Sequence, residues 1–225
     1  MTAPADLPGW LRPLGEAALT VRPEQLSRFL PPDEGGRESA VLILFGDGPH
    51  GHDVLLIERA HDMRSHAGQM AFPGGASDPG DADAVAAALR EAVEETGLDV
   101  SGVEVFGTLP AVYLPPSGFV VTPVLGWWRA PSPVAAVDPR EVASVHRVPV
   151  DVLVDPANRL RVRHPSGYVG PAFRVGDLLV WGFTAGLLDR LLRLAGWELP
   201  WDTSTSEDLP PHLLERQADA TEVPR

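Results

Sequence analysis

Short apolar runs separated by turn-rich segments give the first half of the chain the pattern of buried β-strands. Residues 40–45 (AVLILF) and 53–59 (DVLLIER) flank the loop GDGPHGH and predict two neighbouring strands. Residues 103–109 and 119–128 repeat the pattern on either side of the turn signal PPSG. We therefore expect these four runs to be strands of a sheet.

Apolar residues at helical spacing occur in three other places. The pattern is strongest over residues 82–96, which are followed by Gly97, a typical residue after a helix C-terminus. Residues 183–196 carry leucines at helical spacing, and a shorter helix is expected around residues 23–29. One central helix and one late helix are therefore the main helical predictions.

The later part of the chain mixes both patterns. Residues 138–155 predict a short strand or turn that leads into a helix or loop, and residues 159–164 and 168–182 predict a hairpin. Strands before and after a central helix, with a second helix near the end, favour an α/β sandwich with a mixed β-sheet.

Length and composition suggest one folded domain with two extensions. The chain has 225 residues, and we place the domain at residues 36–200. Residues 1–35 are expected to form an N-terminal extension. Residues 201–225 are acidic and contain prolines, so they are expected to form a disordered tail.

Charge and composition exclude several classes of function. The formal net charge of −13 argues against binding to nucleic acid or an anionic membrane through a basic face. The absence of cysteine excludes disulfides, thiolate metal sites and thiol catalysis. No apolar run reaches the ~18 residues of a membrane span, and the N-terminus lacks a secretory pattern, so a cytoplasmic location is expected.

Three glutamates crowd the last turns of the helix expected over residues 82–96. At about 100° per residue, Glu91, Glu94 and Glu95 share one face of the helical wheel. Like charges at this spacing cost roughly 0.2–0.5 kcal/mol per pair, and the helix dipole disfavours anions at a C-terminus. The wheel places the predicted buried residues on the opposite side: Val85, Leu89, Ala92, Val93 and Thr96.

A bound divalent cation would remove this electrostatic conflict, because clustered carboxylate oxygens suit Mg²⁺ or Mn²⁺. An acidic surface stripe in which Arg90 pairs with Glu94 explains the same residues. The upstream loop FPGG, residues 72–75, favours the metal, since a glycine backbone can approach a metal or a phosphate closely. A metal beside such a loop is a recurring arrangement for diphosphate substrates.

Residues 90–98, REAVEETGL, resemble the second half of the signature of the Nudix hydrolase family. The first half departs from it, because Gly75 lies one residue too far from Arg90 and the expected glutamate is missing. Asp81 or Asp83 is available instead as a partner for Arg90. The resemblance implies a Nudix-type α/β/α sandwich with a mixed β-sheet and hydrolysis of a diphosphate linked to a second group.

Residues 55–75, LLIERAHDMRSHAGQMAFPGG, resemble the coenzyme A pyrophosphatase branch of that family. Arg59, Arg64, Gly68 and Phe72 are in register with the pattern of the branch. The resemblance implies coenzyme A or its thioesters as the substrate. The implied products are 4′-phosphopantetheine, or its acyl form, and adenosine 3′,5′-bisphosphate, and the resemblance makes a homodimer reasonable.

The candidate metal residues follow from the same comparison. Glu91 and Glu95, one turn apart, are expected to bind the cation directly. Glu94 either binds a second ion, accepts the proton of the attacking water, or pairs with Arg90, which then orients the carboxylates. Glu141 is either a further carboxylate near the metal or an ordinary first-turn helix glutamate.

The candidate substrate contacts lie upstream of the helix. Arg59 and Arg64 can hold phosphate through forked hydrogen bonds, or they can pair with Glu58 or Asp62. The other residues with a predicted substrate-binding role are Gly68, Phe72, Gly74 and Gly75.

Two further questions stay open at this point. A basic cluster either meets the 3′-phosphate of coenzyme A or, as we rather expect, pairs with acidic neighbours; its members are Arg159, Arg161, Arg163 and His164. The chain is alternatively a hydrolase of another diphosphate, such as a nucleotide sugar, ADP-ribose or NADH, or a non-catalytic ligand-binding regulator on the same scaffold. The intact set of three helix carboxylates favours an enzyme.

Overall fold

A computed structural model of the chain describes residues 6–32, 35–61, 67–115, 117–211 and 213–214. The helices in this part of the chain are α1 (Arg12–Ala18), α2 (Pro23–Leu26), α3 (Ala84–Thr96), α4 (Val150–Val154) and α5 (Gly182–Leu194). The strands are β1 (Arg37–Gly48), β2 (Gly51–Arg59), β3 (Met70–Ala71), β4 (Gly74–Ala76), β5 (Val103–Thr108), β6 (Val112–Leu114), β7 (Phe119–Trp128), β8 (Val142–Pro149), β9 (Arg159–Arg163), β10 (Val169–Val175), β11 (Leu178–Val180) and β12 (Glu207–Asp208).

Eight of these strands form one large mixed sheet. Its main order is β3-β2-β1-β7-β5, while β4 pairs with β1, β6 with β7 and β8 with β2. β1 runs parallel to β7 and antiparallel to β2 and β4. Along β1, the partner changes from β4 at residues 39–41 to β2 at residues 45–48, so the short glycine strand is inserted next to the start of β1. The other four strands form a second sheet in the order β11-β10-β9-β12.

Alternating side chains of β1 divide the interior into two layers. Ala40, Leu42 and Leu44 are buried against α3, whereas Ile43 and Phe45 are buried on the other face with residues of α1 and α5. Helices therefore cover both faces of the large sheet. The predicted α/β/α sandwich with a mixed β-sheet is confirmed.

Most predicted elements are present with shifted ends. The four early apolar runs correspond to β1, β2, β5 and β7, and the late hairpin corresponds to β9 and β10, extended by β11. Residues 138–155 supply both a strand, β8, and a short helix, α4. Within the described residues, no helix is long and apolar enough to cross a membrane.

The N-terminal segment contributes more structure than its sequence predicts. It contains α1 in addition to the expected α2, and Leu7, Leu11 and Leu14 are buried in the main core. Leu11 precedes α1 directly and Leu14 lies one turn later on the same side, while Leu7 reaches the core from the segment before the helix. Frequent prolines and glycines in this segment obscure that signal in the sequence.

The described part of the C-terminal segment differs from the disordered tail expected from Trp201 onward. β12 pairs with β9 and extends the second sheet. Leu209 and Leu213 are buried in a separate apolar cluster with Leu160 and Val162 of β9. The second sheet therefore holds this acidic segment through two leucines and a short strand pairing.

Candidate active site

The helix that carries the glutamates, α3, has both ends fixed by local interactions. The Asp83 carboxylate caps the first turn by accepting a hydrogen bond from the Ala86 N–H at 2.9 Å. Gly97 ends the helix with φ 69°, and its N–H donates to the Val93 carbonyl at 2.9 Å. Between these ends α3 packs against β1 and β4, which holds its carboxylates beside the glycine loop.

The buried face of α3 matches the face that the helical wheel predicts only in part, since Ala92 and Thr96 are buried and Val85 and Leu89 pack against the core as expected. Ala87, Ala88 and Ala92 are fully buried, whereas Val93 is 39% exposed and Glu95 is 7% exposed. Alanine side chains are short, so this face can lie close to the sheet, and the Glu95 carboxylate is turned inward. The predicted separation of carboxylates from buried positions is therefore wrong for Val93 and Glu95.

Glu95 is a buried carboxylate beside the glycine loop. Its Oε2 accepts a hydrogen bond from the Gly74 N–H at 2.9 Å. Burial raises the pKa of Glu95 from 4.5 to about 7. The Gly74 hydrogen bond and the charge of Arg59 lower this pKa, while the charges of two further carboxylates, Glu91 and Glu141, raise it. The anionic form of Glu95 is therefore poorly compensated by the residues that the structure describes.

Glu91 faces Gly75 of β4. Its Oε1 accepts a hydrogen bond from Arg90 Nη1 at 3.0 Å. Burial raises the pKa of Glu91, the neighbouring Arg90 lowers it, and the charges of Glu94 and Asp78 raise it. A Cβ atom on Gly75 would overlap the Glu91 carboxylate, so a larger residue here would displace that carboxylate from its present position.

Arg90 connects this end of α3 to the preceding loop. Its Nε and Nη2 donate to the two carboxylate oxygens of Asp81 at 3.1 and 3.0 Å, and Nη2 also donates to the Ala76 carbonyl at 3.0 Å. Its Nη1 donates to Glu91 and to Glu94, at 3.0 and 3.1 Å. The forked bond from Arg90 holds the pKa of Asp81 below its ordinary value. Arg90 thus connects two carboxylates of the helix, those of Glu91 and Glu94, to the loop.

The two aspartates considered as partners of Arg90 have different positions. Asp81 forms the forked pair, whereas Asp83 caps α3. Glu94 is 56% exposed and forms the i,i+4 ion pair with Arg90 that the surface-stripe interpretation expects. An aspartate in the longer loop therefore provides the carboxylate that the missing signature glutamate would supply.

Glu141 and Arg59 reach the site through strand pairing. β8 pairs with β2 so that Arg59 stands opposite Val142. Glu141 immediately precedes β8, and its carbonyl accepts a hydrogen bond from the Ala60 N–H at 2.9 Å. Glu141 lies in a turn before a strand, so its interpretation as a first-turn helix glutamate is wrong. The charges of Glu141 and Arg59 both act on Glu95.

The structure bears on only one of two further predicted substrate contacts, Arg64 and Phe72. Arg64 lies outside the described residues, as do Asp62 and His66. Phe72 is 3% exposed and packs in the main core with Leu56 and Met70, so its side chain has no access to a substrate. The aromatic residue before the glycines therefore anchors the loop to the core, which corrects its predicted role.

Glycine occupies positions 68 and 74 for two different conformational reasons. Gly68 has φ 64°, and its N–H donates to the Arg59 carbonyl at 3.0 Å, which joins the two ends of the segment between them. A Cβ atom on Gly74 would overlap the Ala40 carbonyl of β1. Glycine at this position therefore lets the backbone of β4 lie against β1 with its N–H directed at Glu95.

The basic cluster pairs with neighbours in the second sheet and the C-terminal segment. Arg159 is fully buried and contacts Asp189 of α5 at 2.5 Å and Glu198 at 3.3 Å. Arg163 contacts Asp208 of β12 at 3.0 Å. These ion pairs agree with the expectation that the basic cluster pairs with acidic neighbours. They connect β9 to α5 and to β12.

The donor groups at the end of α3 fit a divalent cation, although they do not yet surround one point. Among the residues that the structure describes, no three carboxylate or imidazole side chains converge as a complete metal site. Arg90 bonds to Glu91 and Glu94, while the Gly74 N–H bonds to Glu95. Carboxylate oxygens are nonetheless the hard donors that Mg²⁺ or Mn²⁺ prefers, and the glycine loop lies directly against the Glu91 carboxylate.

One group of the site, the Gly74 N–H that donates to Glu95, is difficult to predict from the sequence. A backbone donor has no residue-type signature, so its role follows from the pairing of β4 with β1. The glycine pair in FPGG is the available signal, because it marks a close approach of backbone to another group.

Comparison with known proteins agrees with this arrangement. A NUDIX domain model matches residues 36–168. The "Uncharacterized Nudix hydrolase NudL" of Escherichia coli strain K12 is 41% identical over 162 residues, which cover 69% of this chain and 81% of that protein. The protein of the same name from Shigella boydii serotype 4 matches with the same identity and coverage.

Among solved structures, a Nudix hydrolase from M. smegmatis, RenU, covers 75% of this chain and 91% of its own, with 23% identity and a TM-score of 0.52. At this identity the likeness supports the fold alone. Nudix hydrolases act on small nucleoside diphosphate derivatives and generally use divalent cations such as Mg²⁺. The match over more than half of the chain, together with the two 41% identical relatives, shows that this chain belongs to the Nudix hydrolase family.

Proposed function

We propose that this Nudix hydrolase is a Mg²⁺- or Mn²⁺-dependent pyrophosphohydrolase of coenzyme A or acyl-coenzyme A. It would release adenosine 3′,5′-bisphosphate and 4′-phosphopantetheine or its acyl form. The observation that carries the proposal is the contact between the carboxylate end of α3 and the loop of Gly74 and Gly75. That loop ends the segment 55–75 whose pattern resembles the coenzyme A pyrophosphatase branch.

Glu91 and Glu95 are the proposed ligands of the cation. When bound there, the cation would neutralise charge on the diphosphate oxygens and supply an activated water. The raised pKa values of both carboxylates support this assignment, because a nearby cation stabilises the ionised form that burial disfavours. Asp81 and Arg90 hold Glu91 in place, and the Gly74 N–H holds Glu95.

Arg59 is the described candidate for binding the diphosphate, since its charge acts on Glu95 and a guanidinium can form forked bonds to phosphate. Arg64 has the same proposed role from the pattern of the segment. Glu94 and Glu141 are the candidates for accepting the proton of the attacking water. Glu141 has the stronger support, because Glu94 already pairs with Arg90 whereas the charge of Glu141 reaches Glu95.

A substrate panel tests the proposal. The full chain is incubated with Mg²⁺ or Mn²⁺ and with coenzyme A, acetyl-coenzyme A, ADP-ribose or NADH, and the products are identified by mass. We expect the highest kcat/KM for coenzyme A or its thioester, and hydrolysis in ¹⁸O-labelled water identifies the phosphorus that is attacked. If coenzyme A reacts no faster than ADP-ribose or NADH, the substrate is another diphosphate. If none reacts, a ligand-binding role is favoured.

A further inference from the structure

A cleft lies between the end of β2 and the second sheet. Its volume is about 370 Å³, which is at the lower end of the ~300–1,000 Å³ range of small-molecule sites. Much of its wall is apolar and includes Met70 of β3, Val162 of β9 and Leu179 of β11. Leu213 of the C-terminal segment closes part of the same wall. The cleft therefore exists because that segment folds against β9.

The cleft and the proposed phosphate-binding residue Arg59 meet at the end of β2. Glu58 lines the cleft, and the next residue of β2 is Arg59, whose charge acts on Glu95. Gly68 also lines the cleft, and its N–H donates to the Arg59 carbonyl. Glu58 pairs with Met70, whose side chain lies in the core with α1 and α5, so the cleft opens on the face of the sheet opposite to α3. One arm of a substrate whose diphosphate lies beside Arg59 would therefore reach the cleft around the end of β2.

The charges around the cleft indicate which half of the proposed substrate, the pantetheine arm or the phosphorylated adenosine half, can bind there. Four carboxylates line it, from Glu58, Asp177, Glu207 and Asp208, against one arginine and one histidine. Arg174 contacts Glu207 at 2.7 Å, and Arg163, which is outside the lining, contacts Asp208 at 3.0 Å. Two of the four carboxylates are therefore paired with arginines, and Glu58 and Asp177 keep the lining net acidic. An arm that carries a phosphate would be repelled by this lining, whereas an uncharged arm with N–H and O–H donors would not.

Glu58 adds hydrogen-bonding capacity at the end of the cleft nearest Arg59. Its Oε2 accepts a hydrogen bond from the Ser144 hydroxyl at 2.7 Å, and its Oε1 lies 3.3 Å from His61 Nε2. The Ser144 hydroxyl also lies 2.6 Å from His146 Nε2. This network holds the carboxylate in position, and a carboxylate has further lone pairs to accept from an amide N–H.

We infer that the cleft binds the uncharged, amide-containing pantetheine arm of the substrate and leaves the phosphorylated adenosine half outside. This inference rests on the proposed function and adds a location for one half of the substrate. It assigns the second sheet and the C-terminal segment a role in specificity, because both contribute walls of the cleft.

Leu179→Trp tests the inference by filling the cleft. The matched control is Leu30→Trp, at a position that is 46% exposed and outside the cleft lining. Binding of pantetheine alone to the full chain is measured by calorimetry. We expect Leu179→Trp to weaken this binding by at least about tenfold and Leu30→Trp to leave it unchanged. Equal binding in all three proteins, or none to the unaltered chain at millimolar pantetheine, would overturn the inference.

Hydrolysis then separates the cleft from the proposed function. The substrates are coenzyme A and a truncated analogue, 3′-phosphoadenosine 5′-diphosphate bearing a methyl ester instead of the pantetheine arm. Leu179→Trp should lower kcat/KM for coenzyme A by at least about tenfold and leave that of the analogue unchanged. If coenzyme A is hydrolysed equally well by the variant, the cleft assignment fails while the proposed function stands. If the unaltered chain binds pantetheine but does not hydrolyse coenzyme A, the proposed function fails while the cleft assignment stands.

Asp177→Lys provides a second variant that does not enlarge a packed side chain, because Asp177 is exposed in the turn between β10 and β11. The unaltered chain should discriminate against succinyl-coenzyme A relative to acetyl-coenzyme A, since the succinyl group brings a carboxylate to an acidic cleft. Asp177→Lys should reduce that discrimination by about threefold to tenfold. An unchanged ratio would contradict the charge argument.

Discussion

Arg159 of β9 and Glu95 of α3 are both buried charged side chains, but their surroundings differ. Arg159 is paired with Asp189 and Glu198, and its guanidinium lies 4.8 Å from the ring centroid of Phe173 and 4.5 Å from that of Trp201. The positive charge therefore faces two carboxylates and two aromatic rings, although burial still lowers the pKa of Arg159 and its Nε and Nη1 have no hydrogen-bond partner among the described residues. We interpret this group as part of the connection between the second sheet and α5.

Glu95 has much less compensation. The Gly74 N–H bonds to its carboxylate and Arg59 adds a favourable charge, while Glu91 and Glu141 add unfavourable ones. A buried charge that the chain compensates internally contributes to architecture. A buried charge that the chain leaves in deficit is suited to a cation from solution. The comparison therefore separates a structural ion-pair network from a candidate reaction site by their charge balance.

Glu95→Gln should give the largest effect on this comparison. The substitution keeps the shape of the side chain and removes its charge, so a proposed metal ligand is lost. We expect kcat for diphosphate hydrolysis to fall by about a thousandfold or more, while the free energy of unfolding without metal is unchanged or increased. Steady-state kinetics with Mg²⁺ and chemical denaturation provide the two measurements. A variant with near-normal turnover would exclude Glu95 as an essential ligand.

Arg159→Met should give the opposite result, a loss of stability without a loss of chemistry. Removing one partner of a buried ion pair typically costs about 3–5 kcal/mol, because the carboxylates of Asp189 and Glu198 stay buried. Urea unfolding measures the cost. Turnover at a temperature where the variant is folded should be close to normal, since the partners of Arg159 lie in α5, in β10 and in the segment after α5.

Arg161→Met is the matched control for that change. Its guanidinium donates to the Thr203 carbonyl at 3.2 Å at an exposed position, so we expect a cost below about 1 kcal/mol. Similar destabilisation by both substitutions would contradict the special status of the buried network.

The pH dependence of stability should also distinguish Glu95. Its pKa is about 7 when folded and near 4.5 when unfolded, so between these values the folded chain binds more protons. Without a divalent cation, stability is therefore retained below about pH 4.5 and falls as the pH rises to about 7, by about 3 kcal/mol from this group. The difference between the unfolding free energies of the unaltered chain and Glu95→Gln, measured from pH 5 to 8, isolates that contribution. Parallel curves would refute it, and Mg²⁺ at pH 8 should restore stability to the unaltered chain alone.

The sequence predicts the framework of this protein better than the details of its site. Apolar runs and helical spacing identify the strands of the main sheet and helices α3 and α5, because burial of one face is a local pattern. The same reasoning misjudges α3, where Val93 is exposed and Glu95 is buried. An ideal wheel weighs hydrophobicity, whereas the packing depends on the small volume of Ala87, Ala88 and Ala92.

Long-range pairings explain the other differences. The effect of the Glu141 charge on Glu95 depends on the pairing of β8 with β2, and the local sequence pattern around Glu141 does not indicate that pairing. α1 and β12 are stabilised because Leu11 and Leu209 pack against apolar residues that are distant in the sequence. The local composition around either leucine does not indicate these contacts. The choice between Asp81 and Asp83 likewise depends on the path of a loop rather than on residue type.

That choice leads to the smallest of the expected effects. Asp81→Asn removes the negative charge that accepts two hydrogen bonds from Arg90, so Arg90 should position Glu91 less firmly. We expect kcat to fall by about tenfold to a hundredfold, and the Mg²⁺ concentration for half-maximal activity to rise, because partners of metal ligands commonly have effects of that size.

Asp83→Asn is the control for this last change, because asparagine caps a helix about as well as aspartate. It alters the charge of the same loop two residues away and should leave both kcat and the Mg²⁺ requirement close to normal. If the two substitutions have equal effects, the loss comes from the net charge of the loop. If Asp81→Asn alone raises the Mg²⁺ requirement, Asp81 and Arg90 affect the binding of the cation by positioning Glu91. The Arg159 network differs in this respect, because its charges are paired within the chain and it requires no cation.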